Sequence, residues 1–294
     1  MGKPIFIAGS TATGKSAVAL EVAKKTGGEI ISVDSMQVYQ KMDIGTAKPT
    51  AEQREQIPHH IIDCTTISDR FDAARFVREV KNKKKKIKQL IFCGGTGLYF
   101  QAWLEGLGEA PPANLNIRTT LEETPVQELL SELKEKDLIT YKSIDHHNPR
   151  RIIRAVEVIR ITDKPYSKQK AKWTNQAPEN FFLIERTIQD LRNRIERRVE
   201  EMFERGLVEE TCSLRTELKN NLSAQQALGY RQVIGHLKGE QDLPETVSLV
   251  KSRTWQYAKR QKTWFRKING AREVTTPEAE TPKETARRII DLIE

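Results

Sequence analysis

The sequence predicts an α/β fold in which helices flank a parallel β-sheet. Short apolar runs typical of buried strands alternate with helical stretches over residues 1–107. This alternation is typical of a parallel sheet with crossover helices. The first apolar run also leads directly into a glycine-rich turn and a helix, a common opening of such sheets. These two observations define the fold class.

The elements of this first part follow in chain order. They are a strand at 4–8, a helix that ends at about Thr26, a strand at 29–35, a helix at 72–88 and a strand at 89–95. Ligands of parallel sheets bind beyond the carboxyl ends of the strands. We therefore expect Gly9, Asp34 and Thr96, which stand at or just after three strand ends, to lie at the functional edge of the sheet.

The character of the sequence changes near Pro111 and Pro112, after which it becomes polar and helical. A strand of comparable quality returns at 179–187, and a long helix is predicted at 244–269. The predicted organisation therefore has three segments: a first part of the core at 1–110, an inserted helical subdomain at 111–180, and the mostly helical remainder of the core at 181–294.

Composition favours a cytoplasmic protein. Hydrophobic residues make up 37% of the chain and charged residues 30%, and no apolar run approaches the roughly 20 residues that span a bilayer. Cys64, Cys93 and Cys212 are too far apart for a metal-binding pair, which fits a reducing compartment. The adjacent histidines at 59–60 and 146–147 lack the spacing of a metal site and are predicted to lie in loops.

The stretch IAGSTATGKS at 7–16 is a phosphate-binding loop, so the fold is predicted to be P-loop NTPase-like. The backbone N–H groups of such a loop surround an oxyanion, Lys15 reaches its outer oxygens, and Ser16 is placed to hold Mg²⁺. ATP or GTP is the usual occupant. However, the strand at 89–93 ends in Gly-Gly, where a carboxylate for Mg²⁺ would normally stand. From these residues alone the phosphate compound stays open.

Asp34 is a second candidate functional residue, because it ends an apolar strand beside the phosphate loop. A carboxylate in this position suits a Mg²⁺ ligand as well as a general base. A third interpretation is that it only caps the turn SVDSMQ. The spacing does not choose between ligand and base.

Residues 251–272 carry eight Lys or Arg side chains and no Asp or Glu, and the net charge of the chain is +9. Four aromatic residues are interleaved with these cations: Trp255, Tyr257, Trp264 and Phe265. Cations neutralise phosphates and aromatic rings stack on unpaired bases, so this stretch predicts an RNA-facing surface. The alternative is a helix that buries its aromatic residues and exposes its cations to water.

Six stretches of the sequence resemble successive blocks of the tRNA dimethylallyltransferases, also called tRNA isopentenyltransferases. They are GSTATGKS at 9–16, DSMQVYQKMDIGTAKP at 34–49, GGTGLYFQAWLEGL at 94–107, HHNPRRIIRAVEV at 146–158, QALGYRQ at 226–232 and AKRQKTWFR at 258–266. The blocks occur in family order over residues 5–268. Two departures are Ser10, where the family usually has Pro, and the turn at 145–149, which is usually richer in Asp and Pro.

The resemblance implies transfer of a dimethylallyl group from dimethylallyl diphosphate to N6 of adenosine 37 in the anticodon loop of tRNA, with Mg²⁺ as the cofactor. Asp34 is then the general base, with Lys15 and Thr96 as further catalytic residues. The implied diphosphate contacts are Thr11, Ala12, Thr13, Gly14, Lys15, Ser16 and Arg231, and Ser16 is the implied metal ligand. The implied tRNA contacts are Asp34, Ser35, Met36, Gln37, Thr96, Arg118, Asn148, Pro149, Arg150, Arg151, Ile152, Ala227, Leu228, Gly229, Tyr230, Arg231 and Gln232.

Three other functions compete with this one. A phosphate-loop kinase would turn over ATP without RNA, and an adenylate isopentenyltransferase would prenylate a free nucleotide, but neither needs the basic stretch or the inserted subdomain. A non-catalytic RNA-binding protein would not need Asp34 beside an intact phosphate loop. We expect a monomer that binds the anticodon stem-loop of tRNA, with the insertion closing on the stem, and no membrane partner.

Overall fold

A computed structural model describes residues 2–293 and contains one parallel sheet of six strands in the spatial order β3-β2-β4-β1-β5-β6. The strands are β1 at Ile5–Gly9, β2 at Glu29–Val33, β3 at His59–His60, β4 at Leu90–Gly94, β5 at Phe181–Glu185 and β6 at Arg272–Thr275. Every neighbouring pair runs parallel. The predicted α/β fold with a parallel sheet is confirmed.

Helices connect and flank the strands. They are α1 at Lys15–Thr26, α2 at Ala51–Gln56, α3 at Ala73–Lys84, α4 at Gly97–Glu105, α5 at Leu115–Glu123, α6 at Val126–Lys136, α7 at Leu138–Ser143, α8 at Pro149–Thr162, α9 at Ile188–Glu204, α10 at Leu207–Ser213, α11 at Arg215–Lys219, α12 at Leu222–Gln225, α13 at Tyr230–Leu237, α14 at Leu243–Phe265 and α15 at Pro282–Asp291. One 3₁₀ turn lies at Tyr166–Lys168. None of the described helices is long and apolar enough to cross a bilayer.

The sequence sets where several of these elements begin and end. Helix α1 stops at Gly27, whose φ of 63° is the left-handed conformation that glycine adopts at no steric cost. Helix α14 begins with a capping box, in which the Asp242 carboxylate accepts from the Glu245 N–H and the Glu245 carboxylate accepts from the Asp242 N–H.

Within the described residues, the chain divides into two compact units: 2–100 together with 175–293, and Gln101–Thr174. In the first unit, buried apolar side chains of the sheet pack against α1 and α15. The second unit is helical and has its own core, in which Leu121, Leu133 and Val156 are fully buried. This unit includes most of the predicted insertion at 111–180.

The sequence analysis missed two strands. The loop predicted at 59–60 is wrong, because this pair forms the short edge strand β3 beside Ile30 and Ile31 of β2. A hydrogen bond of 2.5 Å between His60 Nε2 and Glu29 Oε2 ties it to the sheet. Two polar residues are too few to show the alternation that marks a strand. Strand β6 was not predicted because it also lacks an apolar pattern: only Val274 of its four residues is buried.

Candidate active site

The register of the central strands brings the predicted site residues to one edge of the sheet. Cys93 of β4 lies opposite Ile7 of β1 on one side and opposite Ser32 of β2 on the other. Each strand ends within two residues of this row. The phosphate loop after β1, Asp34 after β2 and Gly95 after β4 therefore emerge side by side.

The phosphate loop makes a tight turn between β1 and α1. Ala12 and Gly14 have φ values of 64° and 91°, and the left-handed conformation at both residues folds the chain back on itself. A side chain at Gly9 would come within 2.9 Å of the Ile184 carbonyl oxygen and the Thr13 hydroxyl. Glycine is therefore required at position 9 for the loop to close against β5.

Two arginines hold the loop from the outside. Arg186 Nε donates to the Thr13 carbonyl oxygen at 2.8 Å, and Arg194 Nε donates to the Ala12 carbonyl oxygen at 2.9 Å. Arg186 is buried and is itself paired with the buried Asp190 carboxylate at 2.7 Å. Because these carbonyl groups are satisfied by the protein, the loop keeps its shape without help from a ligand.

Lys15 opens α1 and points back into the loop. Its ammonium nitrogen lies 3.0 Å from the Ser10 carbonyl oxygen. Burial lowers the pKa of Lys15 to about 8, and the nearby Arg198 guanidinium acts in the same direction. Burial raises the pKa of the nearby Cys93 thiol to about 11, so this cysteine is an inert packing group.

The Asp34 carboxylate caps its turn, which is one of the interpretations that the sequence left open. Its Oδ1 accepts hydrogen bonds from the N–H groups of Met36 at 2.8 Å and Gln37 at 3.2 Å, which caps the turn. Its Oδ2 accepts no hydrogen bond from the described residues. One oxygen therefore fixes the carboxylate, while the other is available to take a proton.

Helix α14 closes the site from the side opposite the sheet. The Gln261 side chain is buried, accepts from the Thr11 N–H at 2.8 Å and donates to the Gly95 carbonyl oxygen at 2.9 Å. The Tyr257 hydroxyl lies near the side chains of Thr96 and Gln261, and burial raises the pKa of Tyr257. Thr96 Oγ1 accepts from the Ser35 N–H at 3.1 Å.

These residues surround a cavity of about 810 Å³. Lys15, Arg198, Arg231, Arg253 and Arg260 line it, against only two carboxylates, those of Asp34 and Glu240. The excess of cations favours an anionic occupant. A second cavity of about 490 Å³ adjoins the outer side of the phosphate loop, where Arg194, Arg197 and Arg205 add further positive charge.

Most of the predicted site residues of the first unit meet at the larger cavity. Those that line it are Thr11, Lys15, Ser16, Asp34, Ser35, Met36, Gln37, Ala227, Leu228, Gly229, Arg231 and Gln232. Ala12 and Gly14 line the second cavity, and Thr13 is buried with its hydroxyl on the Ser10 carbonyl oxygen. Thr96 and Tyr230 line neither cavity. The buried Tyr230 donates its hydroxyl to Glu210 at 2.5 Å, and Glu210 also accepts backbone N–H groups of Asp43 and Ile44.

The remaining predicted tRNA contacts lie in the second unit. Arg118 pairs with the fully buried Glu157 at 2.7 Å, an ion pair that Arg154 shares. Asn148 caps α8, Pro149 opens it, and Ile152 is fully buried in the core of this unit. Arg150 and Arg151 are exposed at the start of the same helix.

Sequence reasoning missed Arg198 and Gln261. Arg198 stands one helical turn after Arg194 on α9, beside the buried apolar residues Ile195 and Val199, so two cations on one helix edge were a usable signal. Gln261 offered no such signal. Its partner Thr11 lies 250 positions away in the chain, and only the folded structure brings them together.

The sheet order and the glycine loop between β1 and α1 define a P-loop NTPase-like protein, and the cationic cavity at the strand ends suits an anionic ligand. A sequence model of the IPP transferase family matches residues 37–268. The chain belongs to this family of prenyltransferases, the tRNA dimethylallyltransferases. The match begins after Asp34, so the evidence for the phosphate loop is the geometry described above.

Relatives and solved structures cover nearly the whole chain. A tRNA dimethylallyltransferase from Pediococcus pentosaceus is 43% identical over 276 residues, which is 90% of this chain and 88% of the relative. One from Acetivibrio thermocellus is 38% identical over 303 residues, which is 98% of this chain and 96% of the relative.

The fold is also that of solved members of the family. The full-length tRNA isopentenylpyrophosphate transferase of Bacillus halodurans matches with a TM-score of 0.71 at 33% identity, over 100% of this chain and 97% of that protein. A eukaryotic dimethylallyltransferase acting on tRNA matches with a TM-score of 0.78 at 26% identity, over 98% of this chain and 78% of that protein. The predicted P-loop NTPase-like fold and the predicted family are confirmed.

Proposed function

We propose that this chain transfers a dimethylallyl group from dimethylallyl diphosphate to N6 of adenosine 37 in the anticodon loop of tRNA and releases diphosphate. The observation that carries the proposal is the pairing of a phosphate loop with a half-buried carboxylate at one cationic cavity. At about 810 Å³ the cavity is in the size range of sites that enclose an organic ligand.

The departing diphosphate sets the first chemical requirement. As the C–O bond of the donor breaks, its electron pair moves to the diphosphate oxygens, and negative charge grows there. The Lys15 ammonium and the Arg198 guanidinium line the cavity at the loop and stabilise this charge. The Thr11 N–H is already bonded to Gln261, so the later amides of the loop supply the remaining donors.

The acceptor sets the second requirement. Adenine N6 is a weak nucleophile because its lone pair is delocalised into the ring. As the new C–N bond forms, N6 loses a proton, and Asp34 Oδ2 accepts it. The hydrogen bonds of Oδ1 to two backbone N–H groups keep the carboxylate oriented for this step.

Mg²⁺ fits this arrangement as a partner of the diphosphate. The described residues contain no group of three His, Cys, Asp or Glu side chains that could hold a metal by themselves. Mg²⁺ in phosphate sites is usually held by one or two protein oxygens together with phosphate oxygens and water. The exposed Ser16 hydroxyl beside Lys15 would be that protein ligand. When bound, the ion neutralises charge on the leaving group.

Cationic side chains bind the tRNA, and the target base must be extruded from its stack to reach the cavity. Unstacking a loop base costs a few kcal/mol, which cationic contacts to the backbone offset. Arg253 and Arg260 at the cavity, and Arg150 and Arg151 at the exposed start of α8, are the proposed contacts. We further propose that the 111–180 insertion binds the anticodon stem, and that the chain acts as a cytoplasmic monomer.

The test is incubation of the protein with labelled dimethylallyl diphosphate, Mg²⁺ and unmodified tRNA, with two parallel reactions that contain ATP and a small acceptor, or dimethylallyl diphosphate and AMP. We expect label in tRNA only, with diphosphate released in equal amount. Phosphorylation of a small acceptor, or prenylation of AMP at the rate seen with tRNA, would contradict the proposal.

A further inference from the structure

The Gln261 side chain joins two loops that are far apart in the sequence. Its Oε1 accepts from the Thr11 N–H of the phosphate loop at 2.8 Å, and its Nε2 donates to the Gly95 carbonyl oxygen, just after β4, at 2.9 Å. The side chain is only 6% exposed, so water does not compete for either contact. One amide group therefore spans the gap between the loops that follow β1 and β4.

The contacts continue from Gln261 to the neighbourhood of the candidate base. Tyr257, one helical turn earlier on α14, places its hydroxyl near Gln261 and Thr96, and Thr96 directly follows Gly95 in the chain. Thr96 Oγ1 in turn accepts from the Ser35 N–H at 3.1 Å, and Ser35 directly follows Asp34. A connected path thus runs from the loop that holds the leaving group to the residue beside the carboxylate.

Helix α14 packs closely against the turn after β4. A Cβ atom at Gly95 would lie 2.2 Å from Gln261 Nε2, and one at Gly97 would lie 2.1 Å from the Trp264 ring. Both distances are far inside van der Waals contact. Glycine at both positions therefore lets the Gln261 amide and the Trp264 ring approach the backbone of this turn.

We propose that Gln261 is a positioning residue that sets the separation between the bound diphosphate and the Asp34 carboxylate. The inference rests on the proposed function. It assigns to α14 a role in the transfer reaction, in addition to the role of its cations in binding tRNA. Two reacting groups must meet at about 3–3.5 Å, and a misplacement of about 1 Å costs on the order of 100-fold in rate. The amide suits the task because it supplies one acceptor and one donor at once.

Two substitutions separate positioning from simple support of the fold. Gln261→Leu removes both hydrogen bonds. Gln261→Glu keeps the acceptor for the Thr11 N–H, but its ionised carboxylate faces the Gly95 carbonyl oxygen and cannot donate. Burial and that carbonyl raise the pKa of the introduced carboxyl group. When protonated, the carboxylic acid again offers one acceptor and one donor, so its effect depends on pH.

The measurement is the single-turnover rate of transfer to tRNA between pH 6 and pH 8.5, expressed relative to the wild type at each pH. We expect the rate of transfer to fall about 10- to 100-fold in both variants at pH 8. The KM of Gln261→Leu for either substrate should change less than about threefold. As the pH falls, the ratio for Gln261→Glu rises and the ratio for Gln261→Leu stays level. Thr263→Ala, an exposed position on the same helix, is the matched control and keeps the wild-type rate.

Tyr257→Phe provides a second route if Gln261→Leu is poorly folded. It removes only the hydroxyl that continues the path, and we expect a smaller loss of rate that is not additive with the loss from Gln261→Glu. A wild-type rate for Gln261→Leu, or equal and pH-independent losses for both Gln261 variants, would overturn the inference. A wild-type protein that fails to prenylate tRNA would instead overturn the proposed function.

Discussion

The ammonium nitrogen of Lys15 lies 3.0 Å from the carbonyl oxygen of Ser10, within its own phosphate loop. The half-buried lysine thus contacts a backbone dipole, and desolvation together with the nearby Arg198 lowers the pKa of Lys15 to about 8. A diphosphate in the loop replaces one partial negative charge with several full ones. Donor binding therefore favours the charged lysine and raises its pKa again.

Affinity for the prenyl donor should fall at alkaline pH because of this lysine. Above a pKa of about 8 the free protein loses the Lys15 charge, so the Kd for dimethylallyl diphosphate rises by up to ~tenfold per pH unit, the slope expected when only the protonated form binds. The check is titration of the donor by calorimetry from pH 7 to pH 9.5. Lys15→Arg, which stays charged, should flatten this dependence. The same slope in both proteins would assign the titration to another group.

Removing the Asp34 proton acceptor should stop transfer without loosening the turn. Asp34→Asn keeps a side-chain oxygen to accept from the Met36 and Gln37 N–H groups, but its amide does not take a proton. We expect kcat to fall by about 10²- to 10⁴-fold while tRNA affinity changes less than about threefold. The measurement pairs kcat with tRNA binding by filter retention. Asp291→Asn, an exposed carboxylate on α15, serves as the control, and near wild-type kcat for Asp34→Asn would remove the base from the mechanism.

Binding of tRNA should depend on the arginines of the cavity and weaken steeply with salt. Each phosphate contact that is lost reduces the slope of log K against log salt by about one. We therefore expect Arg253→Ala and Arg260→Ala each to weaken binding and to flatten the slope. Lys85→Ala is the comparison, because Lys85 follows α3 at the amino-terminal edge of the sheet, away from the cavity. An equal loss of tRNA affinity in Lys85→Ala, or a Kd for tRNA that does not depend on salt, would exclude a specific cationic site.

Glu210 should be needed for stability more than for chemistry. It accepts the Tyr230 hydroxyl at 2.5 Å and the Ile44 N–H at 2.9 Å, and so it fastens the segment after β2 to α10 and α13. Hydrogen bonds to a charged group contribute about 1.5–3 kcal/mol, so Glu210→Ala should lower the free energy of unfolding by about 3 kcal/mol. Urea denaturation measures this change. Glu209→Ala, its exposed neighbour, should stay within about 0.5 kcal/mol, and equal effects of both would refute the assignment.

Much of the site could be predicted because its residues stand at the ends of apolar strands. The strands β1, β2, β4 and β5 are mostly apolar, and their parallel order brings Lys15 and Asp34 to one edge of the sheet. The segment after Pro112 was predicted to be polar and helical, and the structure has α5 to α8 there. The short or polar strands β3 and β6 carry no such pattern.

The supporting contacts of the site could not be predicted, because they depend on tertiary packing. The basic helix α14 was expected to face RNA, and its cations include Lys251 and Lys262, which pair with Glu200 and Glu185. The same helix contributes Gln261 to the phosphate loop. A glutamine within a run of cations gives no indication in the sequence that it is buried. Arg118 is a similar case, since its ion pair with Glu157 requires α5 and α8 to be packed together.

The most direct test of the central claim is the rate of transfer to two anticodon stem-loop RNAs that differ only in adenosine or guanosine at position 37. The account predicts that the wild-type protein attaches one dimethylallyl group to N6 of the adenosine-containing RNA, that the guanosine-containing RNA is not labelled, and that Asp34→Asn labels neither. Equal labelling of the two RNAs, or undiminished transfer by Asp34→Asn, would contradict it.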